Sequence, residues 1–199
     1  MTYKGPRVKL SRRLGIALTP KSETIMQKKA YAPGQHGQRR RPPHSEFGKQ
    51  LLEKQRLKFQ YNVSERELRR YFRIAKSTKG NTPDILVNLL EHRLDNVVRR
   101  AGFAPTIYAA RQLVSHKHIT VNGKIVNKPN FRVGAQDVVG LREKSKGLDV
   151  ITNSLNSAVI PSYMEVSRNE KTVRFIRTPG LSEMPITCEA QLVVEFFSR

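Results

Sequence analysis

The chain has 199 residues, 37 Lys+Arg against 16 Asp+Glu, a formal net charge of +21 and 38% hydrophobic residues. Its one cysteine, Cys188, excludes an internal disulfide framework and a cysteine zinc site, and reads as a small buried thiol. No apolar run approaches the ~20 residues of a membrane span, and residues 1–10 hold no apolar signal core, so the sequence predicts a reducing compartment, cytoplasmic or organellar, and no membrane partner.

The charge is uneven. Residues 1–79 hold 21 Lys/Arg and 5 Asp/Glu, a net of +16, whereas residues 80–199 hold 16 and 11, a net of +5. A lean core with this much positive charge repels itself, and a polyanion, most simply nucleic acid, relieves that repulsion.

Residues 1–44 read as an extended basic arm. Apolar residues are sparse and aperiodic, and Pro6, Pro20, Pro33, Pro42 and Pro43 are expected to interrupt any helix. The arm carries Arg7, Lys9, Arg12 and Arg13. Tyr31-Ala-Pro-Gly-Gln-His-Gly then runs from a turn into Arg39, Arg40 and Arg41. Too apolar-poor to fold alone, the arm is expected to order only against a partner.

Residues 45–79 predict two helices. The first carries Lys49, Lys54, Gln55, Arg56 and Lys58. The second starts at the capping box Ser64-Glu65-Arg66-Glu67, with Leu68, Tyr71, Phe72 and Ala75 on one face and Arg66, Arg69, Arg70 and Arg73 on the other. Thr82-Pro83 predicts an N-cap with proline at N1, opening one continuous helix from 83 to 101 that Gly102 stops. Thr106 caps a further helix, 106–116. Asn122-Gly123 between β-branched residues is a strong hairpin signal. Residues 131–133, 138–141, 163–166, 173–177 and 192–197 read as strands, with a short helix within 143–157.

The informative constellation spans 93–126. On the helix 83–101, Arg93, Asn96 and Arg100 fall on one ridge. On the next, Arg111, Gln112 and Ser115 lie together. His116, Lys117 and His118 mark its exit, and Asn122 with Lys124 forms a basic hairpin tip. Folded RNA is recognised through shape, phosphates and 2′-hydroxyls, and guanidinium forks and amides are donors suited to them. Any one of these residues alone is a solvated helix face; the joint pattern is the signal.

This block resembles the S4 RNA-binding module. Beyond it, Ala32-Pro-Gly-Gln-His-Gly37, Glu53-Lys-Gln-Arg56, Arg93-Leu-Asp-Asn-Val97, Ala110-Arg-Gln-Leu-Val114 and the terminal Phe197-Ser-Arg199 resemble the bacterial-type ribosomal protein S4 family over essentially the whole chain. The resemblance implies an α+β fold: the basic arm 1–44, a helical rRNA-binding domain 45–90 completed by 177–199, and an inserted module 91–176 with a small β-sheet. It implies a structural constituent of the small ribosomal subunit that binds the 5′ domain of 16S rRNA and nucleates its assembly. It also implies neighbours S3 and S5, a place at the mRNA entrance channel carried here to Arg39, Arg40 and Arg41, and a part in translational accuracy. The expected rRNA-binding set is Arg7, Lys9, Arg12, Arg13, Tyr31, Gln35 and His36 on the arm, Lys49, Lys54, Gln55, Arg56, Lys58, Arg69, Arg70 and Arg73 on the first helices, and Arg93, Asn96, Arg100, Arg111, Gln112, Ser115, His116, His118, Asn122 and Lys124 in the module; Tyr31 is read as stacking on RNA, and His36, His116 and His118 as stacking or bonding phosphate.

Many relatives carry four zinc-binding cysteines in the arm; this arm has none, so no metal or other cofactor is expected. No phosphate-binding glycine loop is present, and Asp95, between Arg93 and Arg99, reads as ion-paired rather than as a general base. The sequence thus predicts no enzyme and no small-molecule substrate. Two competing readings are an RNA-modifying enzyme, which needs a catalytic domain that this length does not leave room for, and a free ribosome-recycling or stress factor, which would lack the first 90 residues.

Overall fold

The computed structural model describes residues 3, 5–39, 44–180 and 183–199. They form two compact units, residues 1–86 with 186–199 and residues 87–185.

In the first unit, α1 (Arg7–Leu14) and α2 (Pro20–Lys28) replace the extended arm expected from sequence. The prolines start these helices instead of breaking them. Pro6 is the N-cap of α1, and Pro20 occupies N1 of α2 behind Thr19, whose hydroxyl accepts from the Ser22 amide. Leu10, Leu14, Ile16 and Leu18 are buried, which supplies the apolar contact that the arm seemed to lack. Next come α3 (Glu46–Gln60) and α4 (Glu65–Ser77), the latter opened by the predicted capping box, with both of its hydrogen bonds formed. The segment 192–197, read as a strand, is instead part of α9 (Ala190–Ser198). Val-Val and Phe-Phe carry strand propensity, but Ala190 and Val193 are one helical turn apart and both buried, and α9 packs along α3 and α4.

Helix α5 (Thr82–Glu91) leads into the second unit. The predicted continuous helix 83–101 stops there: Arg93 is extended and becomes the N-cap of α6 (Leu94–Arg100). Long-range bonds fix the break. Phe131 and Pro129 carbonyls accept from the Leu94 and Asp95 amides, Arg93 forms an antiparallel bridge with Arg132, and the Val133 amide donates to the His92 carbonyl, so the predicted strand 131–133 pairs only by this isolated bridge among the described residues. Helix α7 (Ile107–Ser115) follows behind the Thr106 cap.

Strands β1 (Ile119–Val121), β2 (Lys124–Ile125), β3 (Val139–Leu141), β4 (Met164–Ser167) and β5 (Thr172–Phe175) make an antiparallel sheet of order β2-β1-β3-β5-β4. A 3₁₀ turn, Glu143–Ser145, and α8 (Asp149–Ser157) lie between β3 and β4. The β1–β2 turn is the predicted one, with Asn122 at φ 50° and Gly123 at 77°, as a type I′ turn demands. Leu94, Val98, Val114, Ile119, Val139, Leu155 and Phe175 share one core, so α6, α7, α8 and the sheet are held by common apolar burial. This is the mixed α+β fold that the sequence implied.

Candidate nucleic-acid interface

Burial of Leu68, Tyr71, Phe72 and Ala75 orients α4 and leaves Arg66, Arg69, Arg70 and Arg73 exposed on its other side. With Glu67 they line an open groove of about 530 Å³. No carboxylate of the described residues forms an ion pair with any of the four. Unneutralised guanidiniums at i, i+3, i+4 and i+7 present a dense cationic strip of the kind that binds phosphates.

The rest of the first unit sorts the predicted cations. Arg7, Lys9 and Arg13 on α1 are exposed, as are Gln35, His36 and Arg39 in the turn after α2, and Lys49 on α3. Gly37 is buried in that turn, where a Cβ would collide with the Ala32 carbonyl. Arg40 and Arg41 lie outside the described residues. Arg12 donates to the Tyr31 carbonyl at 2.9 Å and sits 4.8 Å above its ring, so Tyr31 already has a cationic neighbour. Lys54, expected on the surface, is instead 5% exposed, 2.9 Å from Glu65 and 4.6 Å from the Phe196 ring, so its ammonium is turned to internal partners. Arg56 and Lys58 are half-buried. Arg56 donates to the Leu14 carbonyl at 2.8 Å and to Glu53 at 2.6 Å, and Lys58 lies 3.2 Å from Glu65. Gln55 is half-buried on the same helix. Partial burial opposes ionisation of Glu65, but Lys54 and Lys58 prevail and hold its carboxyl below the usual range.

In the second unit the helix break overturns the predicted ridge. Arg93 is 1% exposed, Asn96 is wholly buried and Arg100 is 8% exposed. None presents to solvent. Arg93 grips Asp95 through two bonds of 3.0 and 2.8 Å. Arg100 grips Glu91 at 2.7 and 3.2 Å, Asn96 donates to Glu91 at 2.5 Å, and the Tyr163 hydroxyl lies 3.4 Å away. Burial pushes the Asp95 carboxyl up against the pull of Arg93 and Arg111, and burial beside Glu91 pushes the Tyr163 hydroxyl up. Glu91 is the residue that sequence reasoning missed. Its partners become neighbours only once the chain turns at Arg93, and no local spacing signals that turn.

What remains exposed lies on α7 and the hairpin. Gln112, Ser115, His116, Lys117 and Lys124 are exposed, and Arg111 is partly so, 3.6 Å from Asp95. His118 is half-buried with Nδ1 2.8 Å from the Ser145 hydroxyl. The Asn122 amide is occupied in stapling the tip: it donates to Asp137 at 2.8 Å and accepts from the Val138 amide at 2.9 Å. That leaves Lys124 as the cation at a rigid turn. Lys117, with φ 64°, holds the left-handed exit of α7, a conformation that glycine adopts at less cost.

Each unit therefore offers an exposed basic, hydrogen-bonding face on rigid elements, and the deeply buried carboxylates Glu91 and Asp95 are committed to arginines. This defines an RNA-binding protein with a helix-pair-and-hairpin module. Residues 2–91 match the Ribosomal protein S4/S9 N-terminal domain, and residues 92–139 match the S4 domain. The chain is 45% identical to the small ribosomal subunit protein uS4 of Chlorobium luteolum, over 99% of this chain and 98% of that protein. It is 46% identical to the uS4 of Chloroherpeton thalassium over the same shares, and 46% identical to that of Gluconacetobacter diazotrophicus over 97% of each. The chain belongs to the small ribosomal subunit protein uS4 family, a family of ribosomal structural proteins and not of enzymes.

Proposed function

We propose that this chain is a primary binder of 16S rRNA that nucleates folding of the 5′ domain as the small subunit assembles. The observation that carries the reading is the row Arg66, Arg69, Arg70 and Arg73, exposed and without carboxylate partners among the described residues. A second basic surface at Gln112, Ser115, His116 and Lys124 supplies donors for phosphates and 2′-hydroxyls. Two such faces on one chain can gather separate RNA segments, which is the physical content of nucleation. The test is order of addition: rRNA folding followed by chemical probing should show 5′-domain protections with this protein alone, before any other protein joins.

The finer reading places the basic segment at Arg39, Arg40 and Arg41 beside mRNA at the entrance channel, with ribosomal proteins S3 and S5 as neighbours and an influence on decoding accuracy. The family resemblance and the run of three arginines support it. Replacing the three by Ala should leave assembly intact and slow translation through structured messages. Equal rates on structured and unstructured messages would remove the assignment. An accessory module of an RNA-modifying enzyme and a free ribosome factor are set aside by the family match across both units.

A further inference from the structure

Where α9 crosses α4, the first unit holds a second cavity, of about 300 Å³, lined by Arg69, Phe72, Arg73, Phe196, Phe197 and Arg199. It combines three guanidiniums with three aromatic rings, and no acidic residue lines it. The rings are ordered against one another. Phe72 and Phe197 are stacked at 5.1 Å and 28°, and Phe196 meets Phe197 edge-on at 5.5 Å and 82°. Of the three, Phe72 is buried, whereas Phe196 and Phe197 keep part of their surface open. Phe47, half exposed, extends the aromatic surface beside Phe196 and lies under the Arg199 guanidinium. Arg199 and Glu46 attract one another, but Glu46 lies outside the lining.

A bare core seam between α4 and α9 would need the rings alone. It gives no reason for three mutually repelling guanidiniums around their open edge. A phosphodiester backbone with one base turned out of its stack meets both features at once. Guanidiniums bind the phosphates, and every nucleobase has a π-face that packs on an aromatic ring or an arginine plane.

We propose that this cavity receives a single unpaired nucleotide of the bound RNA, its base packed against Phe196 and Phe197 and its flanking phosphates held by Arg69 and Arg73. The proposal rests on the rRNA-binding reading above and assigns part of that surface to a splayed-out base instead of to backbone alone. One stacked base is recognised with little sequence preference, so the site would select for an unpaired position in the RNA fold more than for a base identity.

The test uses the full chain and transcribed 16S rRNA. Phe197→Leu keeps an apolar partner for Phe72 and removes the π-face. It should weaken binding roughly five- to tenfold while leaving the salt dependence unchanged, because no phosphate contact is lost. Unchanged affinity in the folded variant would overturn the proposal. A second measurement does not depend on that variant's folding: Phe197→benzoylphenylalanine retains a ring and, irradiated within reconstituted subunits, should crosslink to one nucleotide. Crosslinking to a ribosomal protein, or to nothing, would overturn it equally. If the wild-type chain itself fails to bind rRNA, the broader functional reading falls; if the wild type binds and both tests fail, only this subsite does.

Discussion

Arg100 donates two hydrogen bonds to Glu91, at 2.7 and 3.2 Å, with the Glu91 side chain fully buried and that of Arg100 7% exposed. Asn96 and Tyr163 complete the shell around the same carboxylate. A pair of charges withdrawn from water this far is tolerated because Arg100, Asn96 and Tyr163 together occupy the carboxylate, and Arg100 also donates to the Pro185 carbonyl. Removing one partner strands the other. Arg100→Ala should cost about 3–5 kcal/mol of stability, whereas replacing Glu91 and Arg100 together by Gln and Met, which keeps a neutral acceptor for Asn96 and Tyr163, should cost less. Urea unfolding of both variants decides it, and equal losses would mean that the pair is not a coupled unit.

The same logic separates Arg93 from Lys124, which the sequence placed in one RNA-contacting group. Arg93 is buried on Asp95, and Lys124 is exposed on the hairpin. Arg93→Ala should destabilise the module by a similar ~3–5 kcal/mol, seen as a lowered thermal midpoint. Lys124→Ala should leave stability within about 0.5 kcal/mol of wild type and weaken rRNA binding. The reverse pattern would return Arg93 to the surface.

Glu65 gives a pH prediction. Lys54 and Lys58 hold its folded carboxyl below the ordinary value of 4.5. A depressed carboxyl pKa means that the unfolded chain takes up the proton first. The stability it contributes is therefore full above pH 4.5 and is lost as pH falls through the lower folded value. Glu65→Gln should flatten the acid limb of stability measured across that window; superimposable curves for the two proteins would contradict the assignment.

How much of this was legible in the sequence depended on how local the cause was. Helix α4 could be read from Ser64, Glu67 and four apolar residues within eight positions, and its arginine face followed from the same period. The β1–β2 turn could be read from Asn122 and Gly123 alone. The break at Arg93 could not, because carbonyls about 35 residues away, on Pro129 and Phe131, take the amides that a continuing helix would have used internally. With the break unseen, Arg93, Asn96 and Arg100 projected onto a false surface ridge. In α1 and α2 the error was positional: proline breaks a helix interior but opens a first turn, and Pro6 and Pro20 sit at the openings. In α9, two adjacent valines and two adjacent phenylalanines carried strand propensity that packing on α3 overrode.

The claim on which the rest depends is that exposed, unneutralised cations on rigid helices grip folded ribosomal RNA. The most direct measurement is the affinity of the intact chain for the 16S rRNA 5′ domain from about 50 to about 200 mM salt, compared with Arg69→Ala/Arg73→Ala. Wild type should lose affinity steeply, and the double variant should show a log–log slope shallower by roughly 1.5, one phosphate contact per arginine, with its circular dichroism unchanged. A flat salt response in the wild type, or identical slopes for the two proteins, would contradict it.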